Sequence, residues 1–129
     1  MLPKKNRVNK KTVEEIFKKG RFISSTNLTF KFISRISGKT SNNAQISFIA
    51  PKAVAKGAVL RNFLRRIGYL ALEKDFKHFP DSILGVFLFN KGISKNIDLN
   101  TNIAKNKELK SKLKLELEND IKTIINKLH

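Results

Sequence analysis

Apolar positions fall into six groups along the chain, and the groups differ in period. Val13, Ile16 and Phe17 are spaced i, i+3, i+4, which puts them on one face of a short helix over 12–19. Thr12, with Glu15 three residues on, makes a capping box at its start, and Gly20 ends it. Residues 21–36 change to period two. Leu28, Phe30 and Phe32 alternate with Thr29 and Lys31, interrupted only by Ile33, so this stretch is extended. Residues 37–43 are a turn or loop by composition. A second strand spans 44–50, with Ile46, Phe48 and Ala50 on one face, until Pro51 stops it.

The helical period returns over 57–75. Leu60, Phe63, Leu64, Ile67, Leu70 and Ala71 form one stripe, and Arg61, Asn62, Arg65, Arg66 and Tyr69 lie roughly opposite. Pro80 and Asp81 make a turn, followed by the nearly unbroken apolar run of 82–89 expected of a central strand. Residues 90–106 read as loop, and 90–110 together as a loop or insertion. A last helix spans 107–128, with Leu113, Leu117, Ile121, Ile124 or Ile125, and Leu128 as its stripe. The order helix, strands, helix, strand, helix predicts one α/β (α+β) domain over 1–129, a sandwich of helices against a small sheet. A length of 129 residues suits that count.

Charge sharpens the picture. The chain carries 27 Lys and Arg against 10 Asp and Glu, a net +17. Residues 1–35 hold ten of the cations and two acids, and 52–66 hold five cations and no acid. No Asp or Glu lies between Glu15 and Glu73, whereas 67–129 is nearly balanced, with acids interleaved among lysines as in surface pairs. The excess is therefore a patch, and the partner it predicts is a polyanion, nucleic acid first. The absence of Cys removes disulfides, thiolate metal sites and cysteine nucleophiles. No apolar run is long enough for a membrane span, and Met1–Lys5 lacks the apolar core of a signal peptide, so a cytoplasmic protein is expected.

The segment from Lys52 to Arg66 concentrates the chemistry. A loop with Lys52 and Lys56 leads into a helix that presents Arg61, Asn62, Arg65 and Arg66. Arg61 and Arg65 are i, i+4 neighbours, and such like-charged pairs repel by about 0.2–0.5 kcal/mol. Phosphate oxygens would relieve that repulsion, because Arg forks match them bidentately. The helix start near Gly57 adds free N–H groups and a favourable dipole. Ahead of it, Lys4, Lys5, Arg7, Lys10 and Lys11 form a basic arm over 1–11. His78 and His129 have no partner at metal or base spacing, and the acid-free half offers no carboxylate cluster for protein-borne metal hydrolysis.

This segment resembles the signature of the bacterial ribonuclease P protein subunit. Lys52, Val54, Lys56, Ala58, Val59, Arg61, Asn62, Arg65 and Arg66 match it, and Arg7-Val8 with Ile16-Phe17-x-x-Gly20 is similar to the family's N-terminal pattern. The resemblance covers 4–92, and the closing helix fits in kind. Departures are Pro51, Ala53, Phe63, Tyr69 and Val13, which leave a thinner basic face; Phe63 lies on the apolar flank and is assigned to packing.

The resemblance implies a small mixed sheet with a left-handed βαβ crossover around 57–75, of the ribosomal protein S5 domain 2-like type. It also implies that the protein carries no catalytic residue. A catalytic RNA removes the 5′ leader from precursor tRNA with magnesium held mainly by the RNA. The protein binds that RNA through Lys52, Lys56, Arg61, Asn62, Arg65 and Arg66. It holds the single-stranded leader in a cleft for which Phe17, Phe30, Phe32 and Arg7 are the candidates, since rings stack on bases without sequence preference. Neither a membrane nor a small-molecule substrate is expected. Two other readings compete: a ribosome-associated or assembly protein that coats RNA, and a metal-dependent nuclease acting alone.

Overall fold

The computed structural model describes residues 7–34, 44–54, 57–80, 83–91, 93 and 107–128. Helix α1 (Lys10–Lys19) leads into strands β1 (Arg21–Ser24), β2 (Leu28–Ser34) and β3 (Gln45–Ile49). Helix α2 (Ala58–Leu72), a 3-10 turn at Phe76–His78, strand β4 (Ile83–Phe89) and helix α3 (Lys107–Leu128) complete the order. The loops expected at 37–43 and over most of 90–106 lie outside the described residues, as do Lys4, Lys5, Lys56 and His129.

The four strands form one mixed sheet in the order β1-β2-β4-β3. β2 pairs antiparallel with β1 and β4, while β3 runs parallel to β4 and connects to it through α2. Within the extended stretch read over 21–36, residues 21–34 form a hairpin with its turn at 25–27. The near-continuous apolar run of β4 reflects its central position, covered on both faces.

Alternation sorts the side chains by face. Leu28, Phe30, Ile46, Phe48, Phe87 and Phe89 point to one side, where Leu64, Ile67 and Leu72 of α2 and Leu117, Ile121 and Ile124 of α3 close the main core. Both Ile124 and Ile125 are buried, so the alternatives left open for the α3 stripe are both used. Gly85 makes room for this core, since a Cβ there would run into the Phe30 ring. On the other face, Ile16 of α1 meets Leu84 and Val86, with Val8, Val13 and Ile33 around them. A single helix cannot cover this face, and part of it stays open.

Two local expectations change. Helix α1 starts two residues early because Asn9, not Thr12, is its N-cap: Thr12 N donates to Asn9 Oδ1 at 2.8 Å. Gly20 ends α1 as expected, in an extended conformation (φ −71°). Its value there is close approach: its N–H donates to Ile16 O at 2.7 Å, and a Cβ would press on that carbonyl and on Phe32 O. The basic arm is shorter than 1–11, since Lys10 and Lys11 belong to α1 and Val8 N donates to Ser47 Oγ of β3 at 2.9 Å.

Candidate nucleic-acid interface

The edge of β3 is where the cations gather. A groove of about 630 Å³ runs along this edge, between the start of α1 and the first half of α2. Arg7 and Lys10 line one wall, Arg61, Asn62 and Arg65 the other, and no Asp or Glu lines it. Two segments 50 residues apart in the sequence thus supply one basic surface. The fold places Arg7 with the α2 cations, not with the aromatic cleft to which the sequence reading assigned it.

Helix α2 explains how the guanidiniums face outward. Leu64, Ile67, Ala71 and Leu72 are buried against the sheet and α3, which turns Asn62 and Arg66 to solvent and leaves Arg61 and Arg65 half-buried on the groove wall. Arg65 Nε is buried and has no hydrogen-bond partner. An N–H shielded in this way costs about 1–3 kcal/mol if it stays unpaired, so this atom favours an incoming acceptor. Arg66 projects away from the groove lining. Lys52 is exposed in the turn after β3. Phe63 packs against the main core, as its place on the apolar flank predicts.

Tyr69 departs from the reading that set it among the Arg residues. It is buried, its ring meets Phe48 edge-on at 5.1 Å, and its hydroxyl accepts from Phe48 N at 3.3 Å. β3 is an edge strand, so alternate N–H groups have no ladder partner. Tyr69 satisfies one of them and forms part of the groove floor. Its periodicity sets it opposite the stripe, but the groove between α2 and β3 is narrow enough to bury it.

The aromatic cleft changes more. Phe30 is fully buried in the main core, its ring stacked on Phe32 at 5.4 Å and tilted against Phe87 at 4.5 Å. Phe32 packs on the same core. Both rings point away from α1, so neither can meet a ligand lying between α1 and the sheet. Period two put them on one face, but only the helix arrangement decides that this is the covered face. Phe17 does sit on the open face, 44% exposed, with Lys31 Nζ 5.1 Å from its ring centre. Phe22 shares that face, because it pairs with Lys31 across β1 and β2. The sequence reading missed Phe22; its one signal was an aromatic residue two positions after the helix-ending Gly20. Beside it lies a polar row in which Ser24 Oγ meets Thr29 Oγ1 at 3.2 Å and Thr29 Oγ1 donates to Asn90 Oδ1 at 2.7 Å.

The acids of the C-terminal half are only partly surface pairs. Lys114 and Glu118 make an i, i+4 pair at 3.9 Å, but Asp120 is buried and binds the β1–β2 turn, accepting from Ser25 Oγ at 2.6 Å and Asn27 N at 3.2 Å. Among the described residues no group of three His, Asp or Glu is placed to hold a metal ion. No helix among them is long and apolar enough to cross a membrane.

The architecture and the basic groove can be set beside known proteins. A family model described as Ribonuclease P matches residues 2–127. The chain belongs to the ribonuclease P protein family. It is accordingly the protein subunit of a ribonucleoprotein endoribonuclease that processes precursor tRNA 5′ leaders, and the family implies a ribonuclease P RNA as partner. Solved structures agree in fold. The RNase P protein of Staphylococcus aureus matches with a TM-score of 0.66 at 14% identity, over 94% of this chain and 93% of that one. The protein from Thermotoga maritima matches at 0.60 and 16%, over 88% and 96%. The fold is the ribosomal protein S5 domain 2-like one, with β3 and β4 parallel and joined through α2. A search of curated proteins found no significant match.

Proposed function

We propose that this subunit binds ribonuclease P RNA through the β3-edge groove and the outward face of α2, and holds the single-stranded 5′ leader of precursor tRNA on the open sheet face beside α1. The observation that carries the first half is the convergence of Arg7, Lys10, Arg61, Asn62 and Arg65 on one acid-free groove, with Arg65 Nε buried and unpartnered. Backbone phosphates supply the acceptor that this N–H lacks, and Asn62 adds a donor and an acceptor for sugar or base. Arg66 and Lys52 extend the same contact on the exposed side of α2 and in the preceding turn. Lys56 belongs with them by the signature.

The second half rests on Phe17. An exposed ring with an ammonium above it offers a base-stacking surface beside a phosphate contact. The chemistry belongs to the RNA. Magnesium is held in proteins chiefly by carboxylate oxygens, and the groove is lined by cations with no Asp or Glu, so its residues do not fit the ion, which is held mainly by the RNA.

Arg61→Ala combined with Arg65→Ala is expected to weaken binding to ribonuclease P RNA by tenfold or more without changing the circular dichroism spectrum. Unchanged affinity at physiological salt would remove the groove from the interface. In reconstitution with ribonuclease P RNA and precursor tRNA at low magnesium, the native protein is expected to stimulate leader removal. Cleavage by the protein alone would return the reaction to a protein active site. The acid-free groove and family membership favour this reading over general RNA coating.

A further inference from the structure

The open sheet face carries more than Phe17. Phe22, on the edge strand β1, is 68% exposed, the largest exposure of any Phe among the described residues. It contributes nothing visible to either core, and an aromatic side chain on an exposed sheet edge invites association that charged residues would prevent. A single exposed Phe needs no explanation. Phe22 is not single, because its cross-strand partner is Lys31, whose Nζ lies over the Phe17 ring at 5.1 Å. Cross-strand partners on one face have Cβ atoms about 4.5–5.5 Å apart. The three side chains therefore form a row of ring, ammonium and ring across α1, β2 and β1. Exposed Lys18 and Lys19 lie between Phe17 and Phe22 in the sequence, and no acid follows before Glu73.

We infer that Phe22 is a second stacking subsite for single-stranded RNA, taking a leader nucleotide next to the one on Phe17, with Lys31 paired to the phosphate in that stretch. Charge complementarity commits the surface to this occupant: an apolar protein segment would have to bury Lys31, whereas a polynucleotide brings a base for each ring and an anion for the ammonium. The inference rests on the leader reading and extends it from one ring to two. The nearby Ser24 and Thr29 hydroxyls flank Phe22 on the same face, within reach of ribose. Because stacking tolerates any base, the subsite adds grip without sequence preference.

The test uses the reconstituted holoenzyme with precursor tRNAs carrying 5-iodouridine at successive leader positions. Irradiation is expected to crosslink one position to Phe17 and a different one to Phe22, read by mass spectrometry. Phe22→Leu is expected to lower precursor affinity about fivefold or more, while Phe22→Tyr retains it. Crosslinks at Phe17 alone, or equal loss for the Leu and Tyr variants, would overturn the second subsite and leave the leader reading standing. Crosslinks at neither ring would overturn both. Since Phe22 lies outside both cores, a fall in melting temperature on Phe22→Leu would also count against it, by showing a structural role.

Discussion

Tyr69 shows how one atom can set the character of a surface. On a helix wheel it belongs to the polar face, among the Arg residues. In the fold, its hydroxyl answers the outward N–H of Phe48 on an edge strand, and its ring is buried against Phe48. Tyr69→Phe keeps the ring and leaves that buried N–H without a partner. It is expected to cost about 1 kcal/mol, the low end of the range for an unpaired buried donor because the bond is long. Thermal unfolding checks this: a melting temperature within error of native would mean that the hydroxyl is dispensable. Arg65 is the converse case. Its Nε is buried on the groove wall and unanswered within the protein, which is tolerable for a residue whose partner arrives from outside.

Among the elements, the β1–β2 hairpin depends on a helix far away in the chain. Its turn is held by Asp120 of α3 through Ser25 and Asn27, and by Asn90, whose Nδ2 donates to Ser25 O at 3.0 Å. Hydrogen bonds to a charged acceptor contribute about 1.5–3 kcal/mol each. Asp120→Ala should therefore destabilise the domain by about 2–3 kcal/mol, since Ser25 can turn to water but the buried Asn27 N–H cannot. Hydrogen exchange at the Asn27 amide should accelerate with it. Unchanged protection there would show that the turn holds itself. The consequence reaches function, because this hairpin carries Phe22 and Lys31. Helix α2 works differently: one face closes the core and the other carries the guanidiniums, so its packing and its charge do not compete.

For the molecule as a whole, the net charge of +17 predicts strong attraction to any polyanion, but the layout restricts where it acts. Arg7 and Lys10 reach the groove from the N-terminal side, and Arg61 and Arg65 reach it from α2. Binding to ribonuclease P RNA should weaken with salt at a log–log slope of about −0.7 to −0.9 per phosphate neutralised, so four groove cations predict a slope near −3 from this site alone. The double variant at Arg61 and Arg65 should flatten the slope by about 1.5–2. A slope that does not change on removing them would place the phosphate contacts elsewhere. The other sheet face contributes rings more than charge, so leader binding should be less salt-sensitive than binding of the catalytic RNA.

Much of this was legible along the chain. Periodicity alone marked the helices, the central strand and the apolar stripes. The run of cations without acids located the basic helix, and the Lys52–Arg66 signature pointed to the family. Those features are local: a period of 2 or 3.6 and the sign of a charge are properties of neighbouring residues. What the chain could not show is which face of the sheet is covered. Phe30 and Phe32 have the same spacing whether they line a cleft or a core, and only the placing of α2 and α3 on their side, with α1 on the other, makes them core and leaves Phe17 and Phe22 open. The joining of Arg7 to Arg61 and Arg65, and the burial of Tyr69 and Asp120, were decided in the same way. Each depends on contacts between segments distant in sequence, which no local pattern contains.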